Sequence, residues 1–249
     1  MDGLRVLRNT QVVILGVCIA VATIVASVIL SQGFIRVIKM TREQITVTGS
    51  ANKQIISDYV VWQASVTVRD ADLAKGYKRL AADLDKVKKY LLAKGVPEQE
   101  LIIPQVNTEQ LYKKDEHGND TNEFMDNRLT QLVEVRSEDV SKITQVSREV
   151  TELIDQGVQL NSGAPEYLYR KLDELKLEML ARATENAKQR AENMAKATGN
   201  KIGVIRSARM GVLQITPGTS TDVSDMGIND TSSLDKKVTA VVTASFAIE

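Results

Sequence analysis

The sequence predicts an α+β fold with a mostly antiparallel sheet, preceded by one N-terminal apolar segment. Strand-like segments follow one another between the helical segments, and this order favours an antiparallel sheet over a doubly wound parallel one. Some segments alternate apolar and polar residues, whereas three long segments repeat apolar residues every three or four positions and predict three main helices. The 249 residues are 43% apolar and 26% charged, which is typical of a folded protein.

The overall charge and the scarcity of cysteine and histidine exclude several function classes. The 32 basic residues balance 32 acidic ones, so the chain lacks the basic surface that nucleic-acid binding requires. One cysteine cannot form an internal disulfide, and one histidine cannot supply a multi-histidine metal site. We therefore expect no nucleic-acid partner, no cofactor, no metal and no catalytic residues.

The apolar segment is long enough to cross a membrane. No charged residue occurs from Asn9 to Ile35. At about 1.5 Å per residue, a helix over Val12–Leu30 covers roughly 28 Å, close to the hydrocarbon thickness of a bilayer. Residues 1–42 are thus expected to be an uncleaved signal anchor, and a cleaved signal peptide or a core helix are the alternatives. The residues expected to face lipid are Val12, Ile14, Leu15, Val17, Ile19, Val21, Ile24, Val25, Val28, Ile29 and Leu30.

Flanking charge does not fix the orientation of this segment. Arg5 and Arg8 precede it, and Arg36, Lys39 and Arg42 follow it, so basic residues lie on both sides. Without residues 1–42, 27 basic and 31 acidic residues remain, a net charge of −4.

The first half of residues 43–249 predicts two strands and a helix. A short strand is expected at Ile45–Gly49 and a longer one at Tyr59–Arg69. Asp70 is a candidate helix cap, and Gly95 and Pro97 end the helix. The predicted buried face of the longer strand comprises Val60, Trp62, Ala64, Val66 and Val68, and the helix stripe comprises Leu73, Tyr77, Leu80, Leu84, Val87 and Leu91.

A hairpin is predicted next, and its tip contains the single histidine. Leu101–Lys114 and Phe124–Arg136 are the expected strands, joined by a turn-rich connection. Acidic residues beside His117 make a weak cation site conceivable, although such residues occur in turns for backbone reasons alone. The tip residues in question are Asp115, Glu116, His117 and Asp120.

Two further helices are expected at Val140–Ile154 and Pro165–Thr198. The longer one carries many alanines, which let a helix lie close to a sheet or to another helix. Its predicted stripe is Leu172, Leu175, Met179, Ala183, Ala187, Ala191 and Met194.

The last part of the chain predicts two strands around a loop. A strand is expected at Ile202–Ile215, followed by a mobile loop at Thr216–Asp235. Calcium binding in this loop is a second hypothesis, although its acidic residues lack the spacing of a twelve-residue calcium loop. Those residues are Asp222, Asp225 and Asp230, and the last strand presents Val238, Ala240, Val242, Ala244, Phe246 and Ile248 on one face.

Several segments are similar to one known family. They are Ile45–Gly49, Ala64–Val68, Leu92–Val96 before Leu101-Ile102, Ala187–Ala195 with Gly199, and the last strand. Over residues 43–249 the chain resembles the SIMPL-domain family of bacterial cell envelopes. The resemblance implies one exported domain without established catalytic residues. It also implies that some members assemble into rings or are linked to stress tolerance.

These observations lead to one expected function and one alternative. We expect a non-enzymatic, single-pass protein of the bacterial inner membrane, with residues 43–249 facing the periplasm or exterior. Its expected partners are the lipid bilayer and other copies of itself, in a ring-like scaffold linked by the resemblance to envelope stress. Ile45–Gly49 is the expected edge strand for self-association. The alternative is a periplasmic ligand-binding or chaperone-like module, which needs an apolar pocket with a few polar anchors.

Overall fold

The structure is a computed structural model that describes residues 2–249, while the side chains of residues 2–14, 36 and 38–42 lie outside the described part. The helices are α1 (Asp2–Arg42), α2 (Leu73–Ala93), α3 (Val140–Glu149) and α4 (Leu172–Ala197). The strands are β1 (Gln44–Ile56), β2 (Tyr59–Asp70), β3 (Leu101–Ile102), β4 (Asn107–Lys114), β5 (Asp120–Ser137), β6 (Leu160–Ser162), β7 (Glu166–Leu168), β8 (Ile202–Met210), β9 (Gln214–Pro217), β10 (Ile228–Asn229) and β11 (Asp235–Ile248). The predicted α+β class with mostly antiparallel strands is confirmed.

The chain forms two compact units. Unit 1 contains the chain up to Ser50, Leu180–Gly211 and Val241–Glu249. Unit 2 contains Ala51–Met179 and Val212–Ala240. The domain predicted over residues 43–249 therefore contributes to both units.

The core of unit 1 is built on small residues, as the alanine-rich stripe of α4 predicts. Val47 of β1 packs with Ala187 and Ala191 of α4 and with Ala244 and Phe246 of β11. The pairing of β11 with β8 is antiparallel, and β1 lies on the other side of β11. Gly49 makes the closest approach, because a Cβ atom there would lie 2.3 Å from the Ala183 carbonyl oxygen. Only a glycine fits at this point of contact between strand and helix.

Unit 2 is built around the apolar face of β2. β2 pairs antiparallel with β5 from Val60 to Asp70, and β6 and β7 pair with its other side. α2 and α3 cover the apolar face with Leu80, Val87 and Ile143. Trp62 is fully buried there and donates from Nε1 to Ser162 Oγ at 3.1 Å and to the Gly163 carbonyl at 3.1 Å. The interpretation of Trp62 as a core residue is confirmed, together with the burial of Val60, Ala64, Val66 and Val68.

Several predicted boundaries are wrong for identifiable reasons. Residues 165–171 are not helical, because Glu166–Leu168 pairs with β2 and Tyr167 N donates to the Thr231 carbonyl at 2.7 Å. The cap of α2 is Asp72 rather than Asp70, since the Asp72 carboxylate accepts from the backbone of Ala74 and Lys75. Tertiary pairing and local cap geometry decided these positions.

Other differences concern interrupted strands and helix stripes. Leu101–Lys114 divides into β3 and β4, and Ile202–Ile215 divides into β8 and β9. On α4, Met194 is exposed and Ala195 is buried in its place. On α2, Leu73 and Tyr77 are exposed, so the buried stripe begins one turn later. The predicted loop at residues 216–235 contains β10, which pairs in parallel with β9.

Candidate functional site

A cavity in unit 2, whose lining surface is mainly apolar, is the candidate site. Its volume is about 270 Å³. One wall comes from β1, β9, β10 and β11, and the other from β7 and the segment that leads into α4. The apolar lining residues are Ile55, Leu168, Leu172 and Ile215, and the polar ones are Tyr167, Tyr169, Arg170, Asn229, Asp230 and Lys236.

Lys236 and Asp230 form a buried ion pair in this lining. Their side chains are 2% and 8% exposed, and Lys236 Nζ lies 3.5 Å from Asp230 Oδ2. Nζ also donates a hydrogen bond to the Asp230 backbone carbonyl. Lys236 therefore holds the chain at Asp230 through both backbone and side chain.

Burial and hydrogen bonding act on the two charges in different ways. Burial raises the pKa of Asp230, but hydrogen bonds from Ser232 and Ser233 and the charge of Lys236 outweigh it and lower the pKa to about 2. Burial lowers the pKa of Lys236, and the neighbouring Asp230 offsets only part of that effect. The Asp230 carboxylate is consequently ionised at neutral pH.

Arg170 contributes a second positive charge to the lining. Its backbone N donates to Asp58 Oδ1 at 2.8 Å, and its Nη1 donates to Glu138 Oε1 at 2.6 Å. The guanidinium carbon lies 5.0 Å from the centre of the Tyr59 ring, within the range of a cation–π contact. These contacts fix the orientation of a side chain that is itself partly exposed.

The sequence contains a signal for Lys236 that the sequence-based prediction missed. Lys236 precedes Val238 by two positions, and in a strand such residues share a face. The buried face of β11 therefore begins with a lysine, whereas Lys237 points to the other face and donates to the Ser220 carbonyl. A lysine on an otherwise apolar strand face indicates a buried charge that needs a partner.

The hairpin tip that contains His117 is a turn held by Asp115. The Asp115 carboxylate accepts from the backbone N–H groups of His117 at 2.8 Å and Asn119 at 2.9 Å. The hydrogen bonds, led by that of Asn119, lower the pKa of Asp115. Glu116 and Asp120 are exposed beside it. The carboxylate of Asp115 is thus occupied by backbone donors.

The structure does not bring the other acidic candidates together. Asp222 accepts from Ser220 Oγ at 2.9 Å, whereas Asp230 is paired with Lys236. Within residues 2–249, as far as the side chains are described, no three His, Cys, Asp or Glu residues form a group suited to a metal ion.

α1 contains a stretch that is long and apolar enough to span a membrane. This stretch is Leu15–Ile35, with a mean hydropathy of 2.2 and none of its window buried. A helix of this kind at the N-terminus is typical of a membrane anchor or a signal sequence. The predicted lipid-facing residues from Leu15 to Leu30 are exposed, whereas the side chains of Val12, Ile14, Arg5, Arg8, Arg36, Lys39 and Arg42 lie outside the described residues.

The β1 edge predicted for self-association is partly covered by α4. Glu43 O accepts from Ile248 N, so the backbone groups of Thr48 and Ser50 point away from β11. Arg190 Nη1 donates to the Thr48 carbonyl at 2.9 Å, and Ser50 N donates to Asn186 Oδ1 at 3.1 Å. These two α4 side chains occupy the positions that a further strand would use.

Among the described strands, β5 and β8 each have an edge along which no other strand pairs. β2 ends at Asp70, opposite Asn127, so residues 120–126 of β5 pair only with β4 among the described strands. We refer to residues 111–126 as the arm; at about 3.3 Å per residue, its unpaired edge is roughly 23 Å long. In unit 1, β8 pairs with β11 on one side, and most of its side chains are exposed.

The two surfaces carry opposite charge. The arm contains five acidic and two basic residues, and it exposes Met125 and the edge-to-face pair of Tyr112 and Phe124, whose ring centres lie 6.5 Å apart. β8 exposes Val204 and Ile205 and contains two arginines and no acidic residue.

Fold and site together define a class: an α+β protein with one apolar N-terminal helix and a small cavity with a buried ion pair. The SIMPL family, described as a protein of unknown function (DUF541), matches residues 45–246. The chain belongs to this family, as its sequence motifs predict.

Other comparisons add little to this assignment. No curated protein matches the chain significantly. Among solved structures, the chain is similar to the crystal structure of an uncharacterized conserved protein from Listeria innocua. The identity is 8%, the match covers 80% of this chain and 92% of that chain, and the TM-score is 0.20. This overlap is too low to bear on function.

Proposed function

We propose that this protein is a non-enzymatic, membrane-anchored envelope protein that self-associates through its domain after residue 42. The exposed arm carries this proposal, because a two-stranded ribbon without a covered face is only marginally stable in water. Natural proteins usually protect or pair such edges. A second copy would supply the missing partner.

The charges favour contact between two different surfaces of neighbouring copies. The acidic arm of one copy suits the basic β8 edge of another, since opposite charges steer association and fix register. Such a contact is heterologous, and it generates a ring when the rotation closes. Anchoring by Leu15–Ile35 would hold copies in one bilayer and raise their effective concentration.

Light scattering on the detergent-solubilised full-length protein tests self-association. We expect a discrete oligomer that Tyr112→Ser combined with Phe124→Ser, or Val204→Lys alone, reduces to monomer. The matched controls are Tyr77→Ser on α2 and Val223→Lys between β9 and β10. Both residues are exposed, but they lie outside the two surfaces. A wild-type monomer at tens of micromolar would refute the proposal.

The proposed location is the bacterial inner membrane with residues 43–249 in the periplasm or outside the cell. The apolar length of α1 and the envelope association of the family resemblance support it. Protease added to intact spheroplasts should digest the domain and leave a membrane-embedded fragment near residues 1–42. Full protection of the domain would show the opposite orientation, and release of an intact domain without detergent would show cleavage of the anchor.

The cavity around Lys236 favours a second candidate function, a ligand-binding module. It provides the apolar pocket with a few polar anchors that this function requires. Binding of a small molecule does not depend on self-association, so the two functions are compatible.

A further inference from the structure

We propose that the cavity around Lys236 binds a small monocarboxylate with an apolar body. This inference deepens the second candidate function. It is independent of self-association, because every lining residue belongs to unit 2 of a single chain.

The volume and the apolar walls of the cavity determine how large the ligand is and that its main part is apolar. An engineered apolar cavity of about 150 Å³ holds benzene, so a cavity of about 270 Å³ holds on the order of ten non-hydrogen atoms. Ile55, Leu168, Leu172 and Ile215 provide apolar contacts for that body.

Lys236 selects the polar group of the ligand. An ammonium group has three donors. The described residues give Nζ one close acceptor, the Asp230 backbone carbonyl, and one distant acceptor at 3.5 Å, the limit of hydrogen-bonding distance. A buried ammonium with an unfilled donor is stabilised by a further acceptor, and a carboxylate oxygen is the strongest candidate.

The hydrogen-bonding groups of the lining favour an anion over a cation. Lys236 is paired with Asp230, and Arg170 is paired with Glu138 outside the lining, so these four charges balance. The Asp230 carboxylate already accepts hydrogen bonds from Ser232, whereas Lys236 Nζ has an unfilled donor. A carboxylate can accept from that donor, but an amine of the same shape offers it no acceptor and adds a positive charge beside it, which is unfavourable.

Equilibrium dialysis of the full-length protein in detergent, with radiolabelled phenylacetate, tests the inference. Phenylacetate has an aromatic body and one carboxylate, and 2-phenylethanol and 2-phenylethylamine are matched neutral and cationic probes. Concentrations up to about 10 mM are appropriate, because ligands of this size bind in the millimolar range at roughly 0.4 kcal/mol per atom. We expect saturable one-to-one binding of phenylacetate and binding of the amine that is at least about tenfold weaker.

Three variants locate the binding site. Lys236→Met combined with Asp230→Asn removes both charges without leaving one unpaired, and it should weaken phenylacetate binding at least about tenfold. Ile215→Phe fills the cavity and keeps Lys236, and it should abolish binding of all three probes. The control Lys237→Met changes the neighbouring lysine, which lies outside the lining, and should bind like wild type.

Two results would overturn the inference. The first concerns the wild-type protein, which would either fail to bind phenylacetate saturably or bind all three probes equally. This result does not depend on how any variant folds. The other is wild-type affinity in folded Ile215→Phe, which would place the bound probe in the detergent or elsewhere on the protein. Neither result bears on the self-association measured by light scattering.

Discussion

Substitution of Gly49 by alanine should severely damage the strand–helix contact in unit 1. The new Cβ would lie 2.3 Å from both Ala183 O and Ala187 N, and 2.6 Å from Ala187 Cα. All three are backbone atoms, so no side-chain rotation relieves the overlap. Ordinary contact begins near 3.4 Å, so α4 and β1 must separate by about 1 Å.

The expected loss of stability follows from the contacts that this separation disrupts. Gaps of this size forfeit a quarter to a half of the dispersion energy of each contact, and the core around Val47, Ala187 and Ala191 depends on such contacts. The hydrogen bonds of Asn186 and Arg190 to β1 would also lengthen. Since overpacking costs about 1–3 kcal/mol even when side chains can yield, we expect a loss of about 3 kcal/mol.

Thermal unfolding followed by circular dichroism measures this loss. At roughly 2–4 °C per kcal/mol for a chain of this size, the Tm of Gly49→Ala should fall by about 6–12 °C. Gly211→Ala is the matched control in the same unit, because its nearest new contact is an ordinary 3.4 Å from Val241 O. A Tm of Gly49→Ala equal to that of this control would refute the packing argument.

Three further predictions concern the ion pair, the hairpin tip and the β1 edge. Because the pKa of Asp230 is lowered to about 2, its contribution to stability is present above the unfolded value of about 3.9 and is lost as the pH falls toward 2. Urea unfolding should therefore show the difference between wild type and Asp230→Asn shrinking over this window, and a constant difference would contradict the assignment. His117→Ala should leave the oligomer and the Tm unchanged within error, because His117 is exposed at a turn held by Asp115; loss of a measurable activity or of a bound metal would contradict the non-enzymatic proposal. Arg190→Met should uncover the Thr48 carbonyl and increase concentration-dependent aggregation in sedimentation, whereas Lys188→Met, on an exposed part of the same helix, should not.

The sequence alone determined the elements whose periodicity is strong. The alternation of β2 and β11 placed Trp62, Val66, Val238 and Ala244 in the core, and the alanines of α4 predicted a close helix contact. The length of the uncharged segment predicted a helix able to span a membrane. These features follow from local patterns, since burial of one strand or helix face repeats at a fixed spacing.

Only the tertiary structure decided the contacts between residues distant in sequence. The pairing of Glu166–Leu168 with β2 overrode a helical pattern, and it placed Tyr167–Leu172 over the cavity. The path of the chain from β10 to β11 places Asp230 beside Lys236. The β1 edge is covered because the face of α4 that carries Asn186 and Arg190 lies against it. Spacing in one segment indicates which face is buried, but the atoms that meet that face belong to other segments, and their identity is fixed only when the chain folds.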